Sequence, residues 1–548
     1  MIEDILFKDG PMLSSALCKR LEGMGLSSDV ARQRVSRARG KVRRLSTLTF
    51  PKNTFILYHE TTHNSADYWD TVVRITSAES PAYGPALAAI LRRDGIVPES
   101  QFCIISGAPE KQRGQTPSSL LLARLISSGL LKRVAIEGIG SCVALDANGH
   151  FQHASPARLR ARLLTENIMI LAVRDWARKL GMASYEKIAT RDGPVTPKYG
   201  TFHWDLCGPS YIRPMIKRIP GAKPNPGFLV CDVVAGNAID EYAIAAFIRK
   251  CKTLSALRGL PPMMPMLLSD GFTREAFRAG RSHGIIMATP ETLFGRDVAS
   301  GLALLLQTVT KAADVVVERP EVIPELFGKL GEIEGAAGNL RGALFELIMG
   351  HAIHMNEGDP IEIGKIVTNH ATGERREIDV LRIKERREAW VYEGKGNQPS
   401  EVISLTTVEE WVTKKVSVIY QALRVDPRFQ NLKIGFEFWT CGSFSNDAHA
   451  YLKDVARKTK KYTIGFKDGA DVRKYVAETK SSAILKTLDD HYFEHPLSRF
   501  DLKYDASAKR RAVEPAPKVE LGDFLDCPSS EDSPLLLEDL TQDHQKEG

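Results

Sequence analysis

Apolar and polar positions repeat one pattern twice in the first 150 residues. In MLSSALCKRLEGMG (12–25) apolar side chains recur three and four apart, the period of a helix packed on one face. A turn follows, then a second helical stretch, SSDVARQRVSRARG (27–40), and a β-like pair, VRRLSTLTF and TFILYHE. Residues 83–145 repeat the order more weakly: YGPALAAILRRDG and QTPSSLLLARLISSGLLKRV read as amphipathic helices, and AIEGIGSCVALDANGHF alternates as a hairpin does. From Ser155 long helices alternate with β runs, the texture of an α/β fold. The order helix, three strands, helix, strand, helix, strand occurs there twice. The first set runs from SPARLRARLLTENIMILAVRDWARKLG to GIIMAT, the second from GNLRGALFELIMGHAIHM to KYTIGF.

This organisation predicts an α/β multidomain protein, with an N-terminal winged helix region followed by two α/β units. The expected boundaries are 1–80 for a winged helix-turn-helix, 81–154 for a second, winged-helix-like module, 155–318 and 319–512 for the α/β units, and 513–548 for an acidic disordered tail. At 548 residues the chain is too long for one core. Its formal charge of +7 understates how basic the body is, because the segment after Val513 is strongly acidic. Arg32, Arg34, Arg37, Arg39, Lys41, Arg43 and Arg44 fall on the second helix and the start of the wing, with Asp29 the one acid nearby. Ser27 or Ser28 is placed to cap that helix, which in this motif enters a DNA major groove. DNA contact is therefore expected from Arg32, Arg34, Arg37, Arg39 and Arg43. The eight cysteines are scattered without a CxxC, so neither a zinc site nor a disulfide framework is suggested. No apolar run approaches the roughly 20 residues of a membrane span, and MIEDILFKDG lacks the form of a signal peptide, so a cytoplasmic protein without membrane contact is expected.

Candidate chemistry lies in REAWVYEGKGNQPSEV (387–402). The apolar run Ala389–Tyr392 ends in Glu393, and Lys395 follows between two glycines. Directly before it another strand, EIDVL, carries Asp379. Two carboxylates from adjacent strands can converge on one divalent cation through hard oxygen ligands. Side chains alternate along a strand, so Lys395 shares a face with Glu393, where an ammonium can orient a water or neutralise charge on a phosphate.

These residues resemble the restriction-endonuclease-like, or PD-(D/E)xK, nuclease superfamily. Asp379 matches the Asp of the motif, Glu393-Gly394-Lys395 its (D/E)xK, and Glu346 in ALFELIMG the acid often carried by the preceding helix. Ile378 stands where the motif has Pro. The likeness covers roughly 335–474. It implies that the second α/β unit is a catalytic nuclease domain, with Glu346, Asp379, Glu393 and Lys395 catalytic. It also implies that Glu346, Asp379 and Glu393 bind Mg²⁺, with Mn²⁺ able to substitute. Glu362 and Glu377 are expected on opposite or outer faces. On the following helix Trp411, Lys414, Lys415 and Tyr420 are candidates for a DNA-facing side, Lys415 as a phosphate contact; Trp411 as core is the competing reading.

In the first unit Glu166, Asp205 and Asp232 occupy the positions of Glu346, Asp379 and Glu393, but Val234 takes the lysine position. This unit resembles a degenerate copy, architectural or DNA-binding, with residual metal binding by Asp205 and Asp232 left open. The function expected is Mg²⁺-dependent DNA endonuclease, in a restriction or anti-phage defence setting, as a homo-oligomer or with a defence-system partner subunit. Competing readings are a DNA-binding regulator or scaffold with inert nuclease folds, or a nuclease for RNA or branched DNA. No GxxxxGK[ST] segment is present, so energy-driven translocation would need another subunit.

Overall fold

The computed structural model describes residues 1–493 except 46–47, 49, 51–52, 64, 146–154, 217–224, 258, 334–335, 385–386 and 397–400. The expected tail 513–548 and the end of the second α/β unit lie outside the described residues.

Leu17 and Leu21 on Ser14–Glu22, and Ala31 and Val35 on Ser28–Ser36, are spaced four apart and so face one side of each helix. They close a small core with Ile5, Leu6, Val42 and Leu57. A short helix, Ile2–Asp9, and strand Met12–Leu13 precede them. The antiparallel sheet orders Met12–Leu13, Ile56–His59 and Val42–Leu45. The predicted order of helix, turn, helix and two strands is present. The second helix is shorter than expected: it ends at Ser36, leaving Arg37 at its C-cap and Arg39 beyond it. Ser27 holds the N-cap position in extended conformation, without a side-chain capping bond.

Helix Ala66–Glu79, expected with residues 1–80, packs against both modules, its core also taking in Leu45 and Ile56 of the first sheet. Tyr68, Trp69, Val72 and Val73 enter a core with Leu87 and Ile90 of Tyr83–Leu91, Leu121 and Leu125 of Ser118–Ser127, and Val143. An antiparallel sheet of Ile96–Pro98, Gly140–Leu145 and Leu131–Ile136 completes the second module.

The two α/β units have the same topology. The first comprises helix α1 (Pro156–Lys179), strands β1 (Ala189–Thr190), β2 (Leu206–Ser210) and β3 (Gly227–Val234), helix α2 (Glu241–Ser255), strand β4 (Met263–Ser269), helix α3 (Arg274–Ser282) and strand β5 (Ile286–Ala288). The second comprises α4 (Ala336–Glu357), β6 (Ile361–Thr368), β7 (Arg375–Lys384), β8 (Glu388–Lys395), α5 (residues 405–425), β9 (Lys433–Thr440), α6 (Asn446–Lys458) and β10 (Thr463–Lys467). Sheet order is β1-β2-β3-β4-β5 and β6-β7-β8-β9-β10. In each, the first two pairings are antiparallel and the last two parallel. β3 and β8 therefore sit at the change of sense, where chain ends from both halves of a sheet meet.

The expected boundary between 318 and 319 does not separate two cores. Ile168, Met169 and Val173 of α1 and Leu344, Phe345, Ile348 and Met349 of α4 share one core, joined by Leu302, Leu305, Leu326, Phe327 and Leu330. Each such side chain contributes about 1.5–3 kcal/mol on burial, so the shared core ties the two units together. Among the described residues no single helix is long and apolar enough to cross a membrane. The bent pair Arg296–Thr310 and Ala312–Glu318 comes nearest, and it buries Leu302, Leu305 and Val316 in that core. The seven described cysteines are free thiols.

Candidate functional site

Glu393 and Lys395 end β8, and Asp379 stands on the neighbouring β7. The two glycines of EGKG have a packing reason. A Cβ on Gly394 would meet Met349 Sδ at 2.4 Å, and one on Gly396 would meet Arg341 O at 2.7 Å. Their lack of side chains lets α4, the helix of Glu346, lie close against the strand end. The Gly394 N–H donates to Asp379 Oδ2 at 2.8 Å, which fixes one carboxylate relative to the other strand.

The free oxygens converge. Lys415 Nζ lies 3.3 Å from Asp379 Oδ1 and is also bonded to Glu393 Oε2, while Lys395 Nζ donates to Glu393 Oε1 at 2.9 Å. Asp379 and Glu393 are buried; Lys395 keeps 40% of its side chain exposed, so the cluster opens on its side. Burial, then the neighbouring Glu393 charge, raises the Asp379 carboxyl. Burial acts on Glu393 too, but Lys415 and Lys395 outweigh it and hold that carboxyl below its usual range. Glu346 is pushed up to about 8, by burial and then by the Asp379 charge. Near neutral pH it carries a proton unless further positive charge arrives.

Lys415, expected on a DNA-facing surface, instead lies inside this acid cluster. Residues Trp411–Val416 of α5 are wound as a π-helix, a wider turn that occurs often at functional sites. It sends Trp411 into the core, edge-on to Phe438 at 5.2 Å, and Lys415 to the carboxylates. Lys414 is exposed and pairs with Glu410, and Tyr420 is half-buried beside Tyr462. Glu377, expected on an outer face, is two residues before Asp379 on the same strand and pairs with Arg160 of α1. Glu362 pairs with Lys365 outside the cluster.

The first unit repeats the backbone of this site. The Val233 N–H donates to Asp205 Oδ2 at 2.8 Å, as Gly394 does to Asp379. Lys250 of α2 binds Asp232 Oδ2 at 2.6 Å, the counterpart of Lys415 on the helix after the strand. The remaining space is filled by protein. Arg191 Nη1 lies 3.1 Å from Asp205 Oδ1, and its Nη2 3.0 Å from Glu166 Oε2; Arg162 Nη1 takes Glu166 Oε1 at 3.1 Å. All these side chains are buried. Burial works against charge on Glu166, yet the three arginines Arg162, Arg191 and Arg93 carry it below its usual range. Asp232 is raised to about 6 by burial, against the pull of Lys250. The outward oxygens of Asp205 and Asp232 hold Arg191 and Lys250. Val234 marks the absent strand lysine in the sequence, whereas Lys250 and Arg191 went unrecognised there; a lysine on the helix after each acidic strand was the signal available.

Of the arginines expected to contact DNA, Arg32, Arg34 and Arg39 are exposed and have no ion pair among the described residues. Arg37 is exposed at the helix C-cap, and Arg43 is engaged with Glu60 Oε2 at 2.7 Å and the Gly40 carbonyl. Comparison with family models, with curated proteins and with solved structures finds no match to this chain.

Proposed function

We propose that the chain is a metal-dependent DNA endonuclease of the PD-(D/E)xK kind, hydrolysing phosphodiester bonds at the Asp379–Glu393–Lys395 cluster. The observation that carries this reading is the convergence of Asp379 Oδ1 and Glu393 Oε2 on a single cation, with Lys395 beside them at an open flank. Among the described residues no three His, Cys, Asp or Glu side chains are grouped closely enough to hold a metal ion as they stand. The donor chemistry nonetheless fits a hard divalent ion. The position between the two carboxylates already accommodates an ammonium, and Glu346, with its raised carboxyl, supplies a third oxygen donor on losing its proton. Asp379, Glu393 and Glu346 would hold Mg²⁺ or Mn²⁺, which when bound polarises a phosphoryl oxygen and acidifies water. Lys395 places an ammonium at the exposed rim, where it orients a water or neutralises a phosphate oxygen. Lys415 balances the carboxylates when no ion is bound, which keeps two buried like charges tolerable.

Arg32, Arg34, Arg37 and Arg39 supply a basic face for duplex DNA, and the neutralised first unit serves as architecture. The test is incubation of the purified chain with supercoiled plasmid, single-stranded and branched DNA, and RNA, in Mg²⁺, Mn²⁺ or EDTA. Metal-dependent nicking that Asp379→Ala and Glu393→Ala abolish is expected, and nicking at the wild-type rate by either variant would refute the assignment. Replacing Arg32, Arg34 and Arg37 together by Ala should lower the log–log salt slope of DNA binding by roughly 0.9 per lost phosphate contact. An unchanged slope assigns that helix to another partner.

A further inference from the structure

We propose that the cleft between the second module and the first α/β unit binds an organic phosphate, its anion held by Arg249, Arg74 and Lys252 and its apolar part by Tyr242 and Ile248. The cleft encloses about 640 Å³, within the roughly 300–1,000 Å³ of small-molecule sites. None of its lining residues belongs to the Asp379–Glu393 cluster.

Helical spacing builds one wall. Tyr242, Ala245, Arg249 and Lys252 of α2 recur three and four apart, so they share one face of that helix. Helix Ala66–Glu79 contributes Arg74, the turn after it Pro81, and the next helix Pro85. His283, at the C-cap of α3, lines the same cleft. Prolines, Tyr242 and Ile248 give it apolar surface, and Arg74, Arg249 and Lys252 give it charge. Glu241 is the one acid among the described residues that line it.

The half-buried Arg249 guanidinium is held in place but not neutralised. Its Nη1 donates to the Pro81 carbonyl at 3.2 Å and its Nη2 to Gln115 Oε1 at 3.2 Å. Gln115 in turn donates to Thr253 Oγ1 at 3.2 Å, which fixes the amide that Arg249 meets. Both partners of the guanidinium are neutral oxygens, and among the described residues it has no ion pair. Arg162 and Arg191, buried in the same α/β unit, each meet carboxylates instead. Burial lowers the Arg249 guanidinium below its ordinary range, with no carboxylate acting against it. A fixed, partly desolvated guanidinium binds an oxyanion through charge-assisted bonds and loses little freedom in doing so. Arg74 and Lys252 are exposed and also without an ion pair among the described residues, so their charge is available to the same anion. A concave site of this size holds a compact ligand and not a duplex.

The test is calorimetric titration of the full chain with ATP, adenosine and pyrophosphate in EDTA, which keeps divalent ions out of the acid cluster. ATP is expected to bind about tenfold or more tighter than adenosine or pyrophosphate, and Arg249→Gln to weaken it about tenfold through the loss of a charge-assisted contact. Arg74→Ala with Lys252→Ala, both at exposed side chains, should weaken ATP by a similar factor without moving the melting temperature, and it decides the outcome where Arg249→Gln does not fold. No ATP binding at millimolar concentration, or wild-type ATP affinity in the folded Arg74→Ala, Lys252→Ala chain, would overturn the proposal. Adenosine or pyrophosphate binding as tightly as ATP would overturn the organic phosphate as occupant.

Discussion

In the first α/β unit Glu166, Asp205 and Asp232 deliver their charge to Arg162, Arg191 and Lys250; in the second, Asp379 and Glu393 face Lys415 and Lys395 with Glu346 left over. The backbone frame is the same, down to the amide that binds the first Asp. The difference is who supplies the positive charge. A buried guanidinium is permanently charged, planar and fixed by covalent linkage, so the first cluster is neutral and closed. In the second cluster burial, and then the Asp379 charge, raise the Glu346 carboxyl, and the cluster is open beside Lys395. Duplicated acids on one backbone frame therefore do not make two equivalent clusters. What distinguishes them is the acid on the preceding helix: Arg162 and Arg191 pair with Glu166, whereas Glu346 has no ion pair among the described residues, and the second cluster opens beside Lys395.

The largest effect expected from this contrast is on cleavage. Lys395→Ala should lower the rate by about 10²–10³-fold while changing stability by under about 0.5 kcal/mol, since the side chain is partly exposed. Single-turnover rates and urea melts of the same protein check both halves. A large stability loss with cleavage intact would make Lys395 structural and erase the contrast. Arg191→Met should do the reverse, destabilising the chain by about 3–5 kcal/mol because Glu166 and Asp205 are left buried without their partner. Denaturant midpoints measure it, and a loss under about 1 kcal/mol would mean that the first cluster is not held by that guanidinium.

The pH dependence sharpens the comparison further. A carboxyl raised from 4.5 to about 8 contributes stability that is complete below 4.5 and is lost as pH climbs through about 8. The metal-free wild type should therefore weaken by a few kcal/mol across that window, and Glu346→Gln should flatten the fall. Parallel curves for the two proteins would show that Glu346 ionises normally. Glu166 is shifted the opposite way, so its stabilisation is present above the ordinary carboxyl range and is lost only in acid. The smallest effect concerns Asp205→Asn with Asp232→Asn. The folded double variant should cleave within about threefold of wild type, under about 0.7 kcal/mol at the barrier. If it is as inactive as Lys395→Ala, the two units share their chemistry.

Much of the frame was legible in the chain. The alternation of helical and strand periods gave away the order of elements in both units, and the [DE]-x-Lys tripeptide at the end of an apolar run located Glu393 and Lys395, because these signals are local. Pairing Asp379 with them needed only the preceding strand. The antiparallel register that sets Val380 opposite Tyr392 brings the next residues along, Asp379 and Glu393, level with each other. The π-helical turn of α5 was not legible, since Trp411–Val416 has no breaker residue, and without that turn Lys415 reads as a surface lysine.

What the sequence determined by itself, then, is the duplicated element order and the acids at the strand ends, since period and strand position depend on residues close together in the chain. Only the tertiary structure decided which cations meet those acids. Arg191 reaches Glu166 across 25 residues, Lys415 reaches Asp379 across 36, and the junction of Glu137, Arg160 and Glu377 joins three separate elements. The core that helix Ala66–Glu79 shares with both N-terminal modules and the core shared by α1 and α4 were likewise set by packing between distant segments. Electrostatic and apolar contacts act through space, so side chains of ordinary composition acquire their roles only when the fold brings them together.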